Sequence, residues 1–208
     1  MPLPATIKLL KDHGRQEIFL SLARMPSSSR LFLGASDGKV YDVDLLAEKP
    51  EWRAYEGHSS YVTGVALANG NQVLVSGGYD GKLIWRKVEN GEIIRTTEAA
   101  HSKWIRKVIA SPDGKRVVSI GDDMVCRVWT ARSGKLVHEL RGHKEQTPQH
   151  FGSMLHAVAF SPDGQLLATG DKVAHVVVWN VESGREVGSC DAPVMYTWDQ
   201  RQRLHWQS

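Results

Sequence analysis

The stretch HSKWIRKVIASPDGKRVVSIGDDMVCRVW, residues 101–129, decides the fold. It opens on His101. An apolar run with a period of two follows through Ile105, Val108 and Ile109, and it stops at the turn string Ser111-Pro112-Asp113-Gly114. A second apolar run, Val117 and Val118, ends at Ser119. The acidic turn Asp122-Asp123 leads into a third run over 125–128, closed by Trp129. Alternation bounded by turn-forming residues reads as short β-strands. A hairpin at Ser133-Gly134 then adds a fourth strand over 136–140.

The rest of the chain repeats this unit. His13, His58, His101 and His143 recur at intervals of 45, 43 and 42 residues. Turns recur with them, at Ser36-Asp37-Gly38, Tyr79-Asp80-Gly81 and Ser161-Pro162-Asp163-Gly164, and hairpins at Asn90-Gly91 and Ser183-Gly184. Trp129 and Trp179 lie 50 residues apart because residues 144–153 lengthen one loop. A period near 40–45 residues with four strands per unit is the mark of propeller blades. The expected blades are 14–56, 57–99, 100–141 and 142–190. A lone strand over 6–10 precedes them within residues 1–12, and 191–208 starts a further, incomplete blade. No segment keeps apolar residues at i, i+3, i+4, so very little helix is expected.

Composition narrows the function classes. Hydrophobic residues make up 41% and charged residues 24% of the 208, values ordinary for a globular protein. The net charge is +3 and the basic residues are scattered, which argues against nucleic acid. No apolar run reaches the length of a membrane span. The opening MPLPATIKLLKDHG lacks a secretory pattern, and Cys126 and Cys190 have no CxxC neighbours. A reducing, cytoplasmic setting is expected.

The chain resembles the WD-repeat β-propeller family. The carriers are Gly57-His58, Ala100-His101 and Gly142-His143 before first strands, the two Ser-Pro-Asp-Gly turns, and Trp129 and Trp179 closing third strands. The resemblance implies an all-β WD-repeat propeller segment of about four blades, each of four antiparallel strands. It also implies a hydrogen-bonded set of histidine, serine or threonine, aspartate and tryptophan in each blade. The third unit supplies all four as His101, Ser119, Asp123 and Trp129. The second supplies His58, Ser76 and Asp80, with Arg86 where hairpin spacing puts the tryptophan. The fourth supplies His143, Thr169 and Trp179, with Val173 at the aspartate's place. The first keeps His13 and Asp37, with Leu33 and Val43 in the other two positions. Four units fall short of the larger ring that the family suggests, so an open arc is expected, with self-association or pairing to a second propeller half.

Catalytic and metal readings find little support. His143, His150 and His156 are spaced by seven and six residues with no cysteine nearby, unlike a zinc site. Asp122 and Asp123 are adjacent residues that point different ways, and no phosphate loop accompanies Ser76-Gly77-Gly78. No catalytic, cofactor or metal residue is assigned. Exposed aromatic and arginine residues are the better candidates, because these types dominate binding hot spots. By the resemblance, one face carries Ser36, Tyr79, Asp122 and Lys172 before the turn aspartates, and Tyr61, Thr63, Trp104, Arg106 and His156 at first-strand starts. The partner-binding candidates are Tyr61, Tyr79, Trp104, Arg106, Asp122, His156 and Lys172. That Tyr61 and Trp104 pack between blades instead stays open, as does the role of the loop at 144–153. The expected function is a non-enzymatic scaffold for protein partners. The alternative is a part of a larger propeller enzyme or regulatory protein whose site lies elsewhere.

Overall fold

A computed structural model describes residues 14–146 and 152–191. The strand expected over 6–10, His13, the blade start expected over 194–199 and the middle of the 144–153 loop lie outside them. The described residues form four separate four-stranded antiparallel sheets. The first holds β1 (Phe19–Arg24), β2 (Arg30–Ala35), β3 (Val40–Asp44) and β4 (Arg53–Tyr55). The second holds β5 (Val62–Ala68), β6 (Val73–Gly78), β7 (Leu83–Lys87) and β8 (Ile93–Thr97). The third holds β9 (Ile105–Ala110), β10 (Arg116–Gly121), β11 (Cys126–Thr130) and β12 (Leu136–Leu140). The fourth holds β13 (Leu155–Phe160), β14 (Leu166–Asp171), β15 (His175–Asn180) and β16 (Glu186–Asp191). Each is a meander, every strand pairing with the next in sequence.

The turns follow from their side chains. In the third sheet Ser111 Oγ accepts the Arg116 N–H at 2.9 Å and donates to Asp113 at 2.6 Å, and Asp113 accepts the Lys115 N–H at 2.9 Å. Gly114 closes the turn at φ +68°, a conformation that costs a residue without Cβ little. Ser161, Asp163 and Gly164 repeat this geometry between β13 and β14, with Leu166 and Gln165 as the donors. A Ser-Pro-Asp-Gly string thus wires its own hairpin before any tertiary contact forms.

Sheets pack face to face through their innermost strands: β1 on β5, β5 on β9, and β9 on β13. Apolar cores fill each seam. Trp85, Val75, Val117 and Trp129 lie between the second and third sheets, and Val118, Val128, Leu155 and Leu167 between the third and fourth. Middle strands are covered on both faces, so β6 is buried along its whole length and β10 nearly so. The stack does not close into a ring. Val75, Leu83 and Trp85 in the second sheet are fully buried, as are Val118, Cys126 and Val128 in the third. The matching Ala168, Val176 and Val178 of the fourth are only half-buried, and β16 is exposed throughout.

One irregularity positions the site. Each innermost strand skips one residue in its pairing with the second strand, and the skipped residues are Leu20, Thr63, Arg106 and His156. A bulge of this kind re-aims the extra side chain. Its repetition sets four such residues at equivalent places, one per sheet.

Candidate interaction face and the hydrogen-bonded quartets

In the third sheet the quartet forms one chain of bonds. Trp129 Nε1–H donates to Ser119 Oγ at 2.9 Å, and Ser119 lies 2.7 Å from His101 Nε2. His101 Nδ1 lies 2.8 Å from Asp123, which also receives Arg127 Nη1–H at 2.7 Å. A carboxylate can only accept, so Nδ1 carries the proton and Nε2 accepts from the serine hydroxyl. Burial pushes the His101 imidazole below its ordinary value against the pull of Asp123, and the Arg127 charge lowers it further. Burial would raise Asp123, yet the bonds from His101 and Arg127 hold it well below the usual carboxylate range. Each polar atom is matched, as a buried set requires.

The fourth sheet corrects an expectation. Val173 does stand at the aspartate's place, but the quartet is complete. Asp171, two residues earlier on β14, lies 3.0 Å from His143 Nδ1. Thr169 lies 2.8 Å from His143 Nε2 and accepts Trp179 Nε1–H at 2.9 Å. The physical reason is visible in the other sheets. Asp171 occupies the register position of Gly78 and Gly121, where an added Cβ would point toward the Nδ1 of His58 or His101. Asp171 also accepts the N–H groups of Val173 and His175, so it ties the turn as well.

The second sheet holds three of the four. His58 Nδ1 lies 3.1 Å from Asp80, and Nε2 lies 2.9 Å from Ser76. Arg86 pairs with Leu74 in the register where Trp129 pairs with Val117. Its guanidinium donates to Gly91 O at 3.1 Å and to Glu56 O, under the ring of Tyr55. In the first sheet Tyr41 OH donates to Asp37 at 2.7 Å, and burial with this bond pushes the phenol up to about 12. Arg15 lies over the Tyr41 and Trp52 rings, and Trp52 stacks on Phe19.

The face at the turn ends of the sheets carries the partner-binding candidates. Four equivalent bonds build it: Ser36, Tyr79, Asp122 and Lys172 each donate their N–H to Ile18, Tyr61, Trp104 and Met154. Between the second and third sheets this frame bears an aromatic ladder. Tyr61 stacks on Tyr79 at 5.7 Å, and Tyr79 on Trp104 at 4.3 Å and 8°. Arg106, on its bulge, grips Asp122 through Nε and Nη2 at 2.6 and 2.8 Å. Its Nη1–H donates to Tyr79 OH at 2.9 Å, so the third sheet holds the second by this contact. Tyr61 and Trp104 keep 47% and 48% of their surface exposed, so neither is packed away between the sheets. A depression of about 440 Å³ is lined by Tyr79, Lys103, Trp104 and Asp122. Thr63 is turned to a different use, bonding Ile105 O of the neighbouring strand at 2.5 Å.

His156 and Lys172 occupy the corresponding places of the fourth sheet, both exposed, and the described contacts do not bring them onto the ladder. Ile18 and Leu20 belong to the same rows but were not singled out by sequence. Ile18 matches Tyr61 and Trp104 in register and is 65% exposed. Alternation along residues 18–22 shows a strand, but only the pairing register shows which end reaches this face. Among the described residues no group of three or more His, Cys, Asp or Glu could hold a metal ion.

Comparison with known proteins agrees with this geometry. The family model described as "WD domain, G-beta repeat" matches residues 50–85, 91–130 and 134–180. A relative described as cell division cycle 20.5, cofactor of APC complex, from Arabidopsis thaliana, is 28% identical over 182 residues, covering 84% of this chain and 40% of its own length. The rat (Rattus norvegicus) apoptotic protease-activating factor 1 is 29% identical over 144 residues, covering 69% of this chain and 11% of its own. A chain in a crystal structure of the mitotic checkpoint complex superposes with a TM-score of 0.73 at 26% identity, over 88% of this chain and 53% of that one. The chain therefore spans about half, or less, of the relatives it matches. With four sheets in register, their shared turns, and repeats matched over more than half of its length, the chain belongs to the WD-repeat family.

Proposed function

We propose that the chain is a non-enzymatic platform that binds a protein partner through the face bearing Tyr61, Tyr79, Trp104 and Arg106. The observation that carries this reading is the aromatic ladder. It is fixed by Arg106 and Asp122, yet two of its rings stay half-exposed. Rigid, partly exposed aromatic and arginine side chains are what binding hot spots are made of, because little freedom is left to lose on association. The names of two similar proteins point the same way, one as a cofactor of a complex and one as part of a checkpoint complex. Replacing Tyr79 and Trp104 together by alanine should weaken partner binding by at least about 2 kcal/mol with the fold retained. Calorimetry with the partner and circular dichroism of the variant check both halves. Equal binding with lowered stability would make these packing residues.

A second surface belongs to the reading. The half-buried Ala168, Val176 and Val178 of the fourth sheet occupy positions that are sealed in the sheets before it. Such a flank favours self-association or pairing with further propeller blades. Sedimentation of the purified chain should show concentration-dependent association, and a stable monomer at micromolar concentration would remove this part.

A further inference from the structure

We infer that the ligand of the ladder face is an acidic peptide segment with an apolar anchor, an inference that rests on the partner-binding reading of that face. Electron-rich ring faces ordinarily attract cations. Here the protein supplies its own. The Arg106 guanidinium lies 5.2 Å from the Tyr79 ring centre and 5.3 Å from that of Trp104, and it neutralises Asp122. An incoming lysine or arginine would meet a filled place and, beside it, the exposed Lys103. The carboxylates that line the depression, Asp80 and Asp122, are already held by His58 and Arg106.

A carboxylate would fare differently. A guanidinium has five N–H groups. Among the described residues three are engaged on Arg106: Nε–H and one on Nη2 by Asp122, and one on Nη1 by Tyr79. One N–H remains on each terminal nitrogen, and the side chain is 20% exposed. Free guanidinium donors of this kind suit a carboxylate. Lys103 borders the same depression as the free face of Trp104. The apolar anchor follows from the equivalent places of Ile18, Tyr61 and Trp104, which give successive sheets an exposed apolar side chain at one level. A segment crossing the sheets would lay an apolar side chain on Trp104 or Tyr61 and set its acidic neighbour on Arg106.

Three synthetic peptides of equal length would test this. All carry the same leucine and phenylalanine, flanked in turn by glutamate, lysine or serine. Titration into the full chain, read by the indole and amide resonances, should show the glutamate peptide binding tightest and shifting Trp104 and Arg106. Lys103→Glu should weaken that peptide by roughly two- to fivefold, the scale of one exposed charge pair, with an unchanged melting curve. Arg106→Gln should weaken it by roughly tenfold or more, the scale of bonds to a charged group. Tighter binding of the lysine peptide at Trp104 would overturn the acidic assignment and leave the face itself standing. Binding that leaves Trp104 and Tyr79 unmoved would overturn both. No binding of any of the three at millimolar concentration would also overturn the inference.

Discussion

The second and third sheets share one register and differ by a single step. In the third, Val128 and Trp129 stand just before the last residue of the third strand, while in the second the corresponding pair is Trp85 and Arg86. Side chains alternate across a strand, so moving the indole by one residue moves it to the opposite face. Trp129 reaches back to Ser119 and seals the seam with the second sheet. Trp85 enters that same seam from the other side and meets Trp129 edge to face at 5.8 Å. One seam therefore holds two indoles. The seam between the first and second sheets is partly polar instead, built on Arg30 gripping Asp42, Tyr55 OH on Asp42, and Arg30 on Val88 O. The displaced indole leaves a cost, since Trp85 Nε1 and Arg86 Nε, both buried, find no partner among the described residues. A tryptophan one position early still makes a core, but it forfeits the quartet.

Breaking the quartet where it is whole should have the largest effect. Trp129→Ala should cost about 3–5 kcal/mol, the range for removing a buried large aromatic. Arg86→Ala, at the matching place of the second sheet, should cost about 1–3 kcal/mol through the bonds to Gly91 and Glu56. Denaturant midpoints compare the two directly. Equal losses would show that the indole does not carry the seam.

Asp171 sharpens the comparison in the fourth sheet. Asp171→Ala should cost about 1–3 kcal/mol by stranding the buried His143 Nδ1–H. Combining Asp171→Gly with Val173→Asp restores the spacing of the third sheet and should recover most of that loss. If the double variant is no better than Asp171→Ala, the turn at 171–174 does not adopt the form of its counterpart.

Acid should expose the same groups more gently. Burial holds His101 and His143 below the ordinary histidine value. As pH falls through about 6.5, the unfolded chain takes up protons that the folded chain refuses. The contribution of each histidine is therefore whole above that point, and it is lost at up to about 1.4 kcal/mol per pH unit below it. Asp123 stays ionised throughout this window, since its hydrogen bonds hold it low. Denaturation midpoints taken at pH values from neutral down to mildly acidic should slope downward. A flat profile would mean that these imidazoles are already protonated in the fold.

What the sequence made legible follows from what is local. Ser111, Asp113 and Gly114 wire a turn among themselves, so the string announces the hairpin wherever it stands. The displacement of Arg86 was readable too, because Gly91 and Gly134 mark the hairpin tips from which third-strand positions are counted. Asp171 was not readable. It replaces the glycine of the second and third units and reaches the histidine from the strand rather than from the turn, so counting forward from Thr169 lands on Val173. Nor was the bond of Tyr41 to Asp37, which depends on the close approach of β3 to its own preceding turn. On the candidate face, the residue types were visible in sequence, while the ladder was not. It arises from Tyr79 of one sheet lying against Trp104 and Arg106 of the next.

The matched repeats and the sheets are out of step: residues 91–130 span β8 of the second sheet and β9 to β11 of the third. A unit of inheritance cut at hairpin tips is therefore not a unit of folding. Excising residues 91–133 from the gene would join Asn90 to Gly134 and remake an Asn-Gly hairpin. β7 would then lead into β12, and the remaining three sheets would each keep four strands. Gain or loss of a repeat in such a gene changes how many blades the protein has while leaving none of them torn.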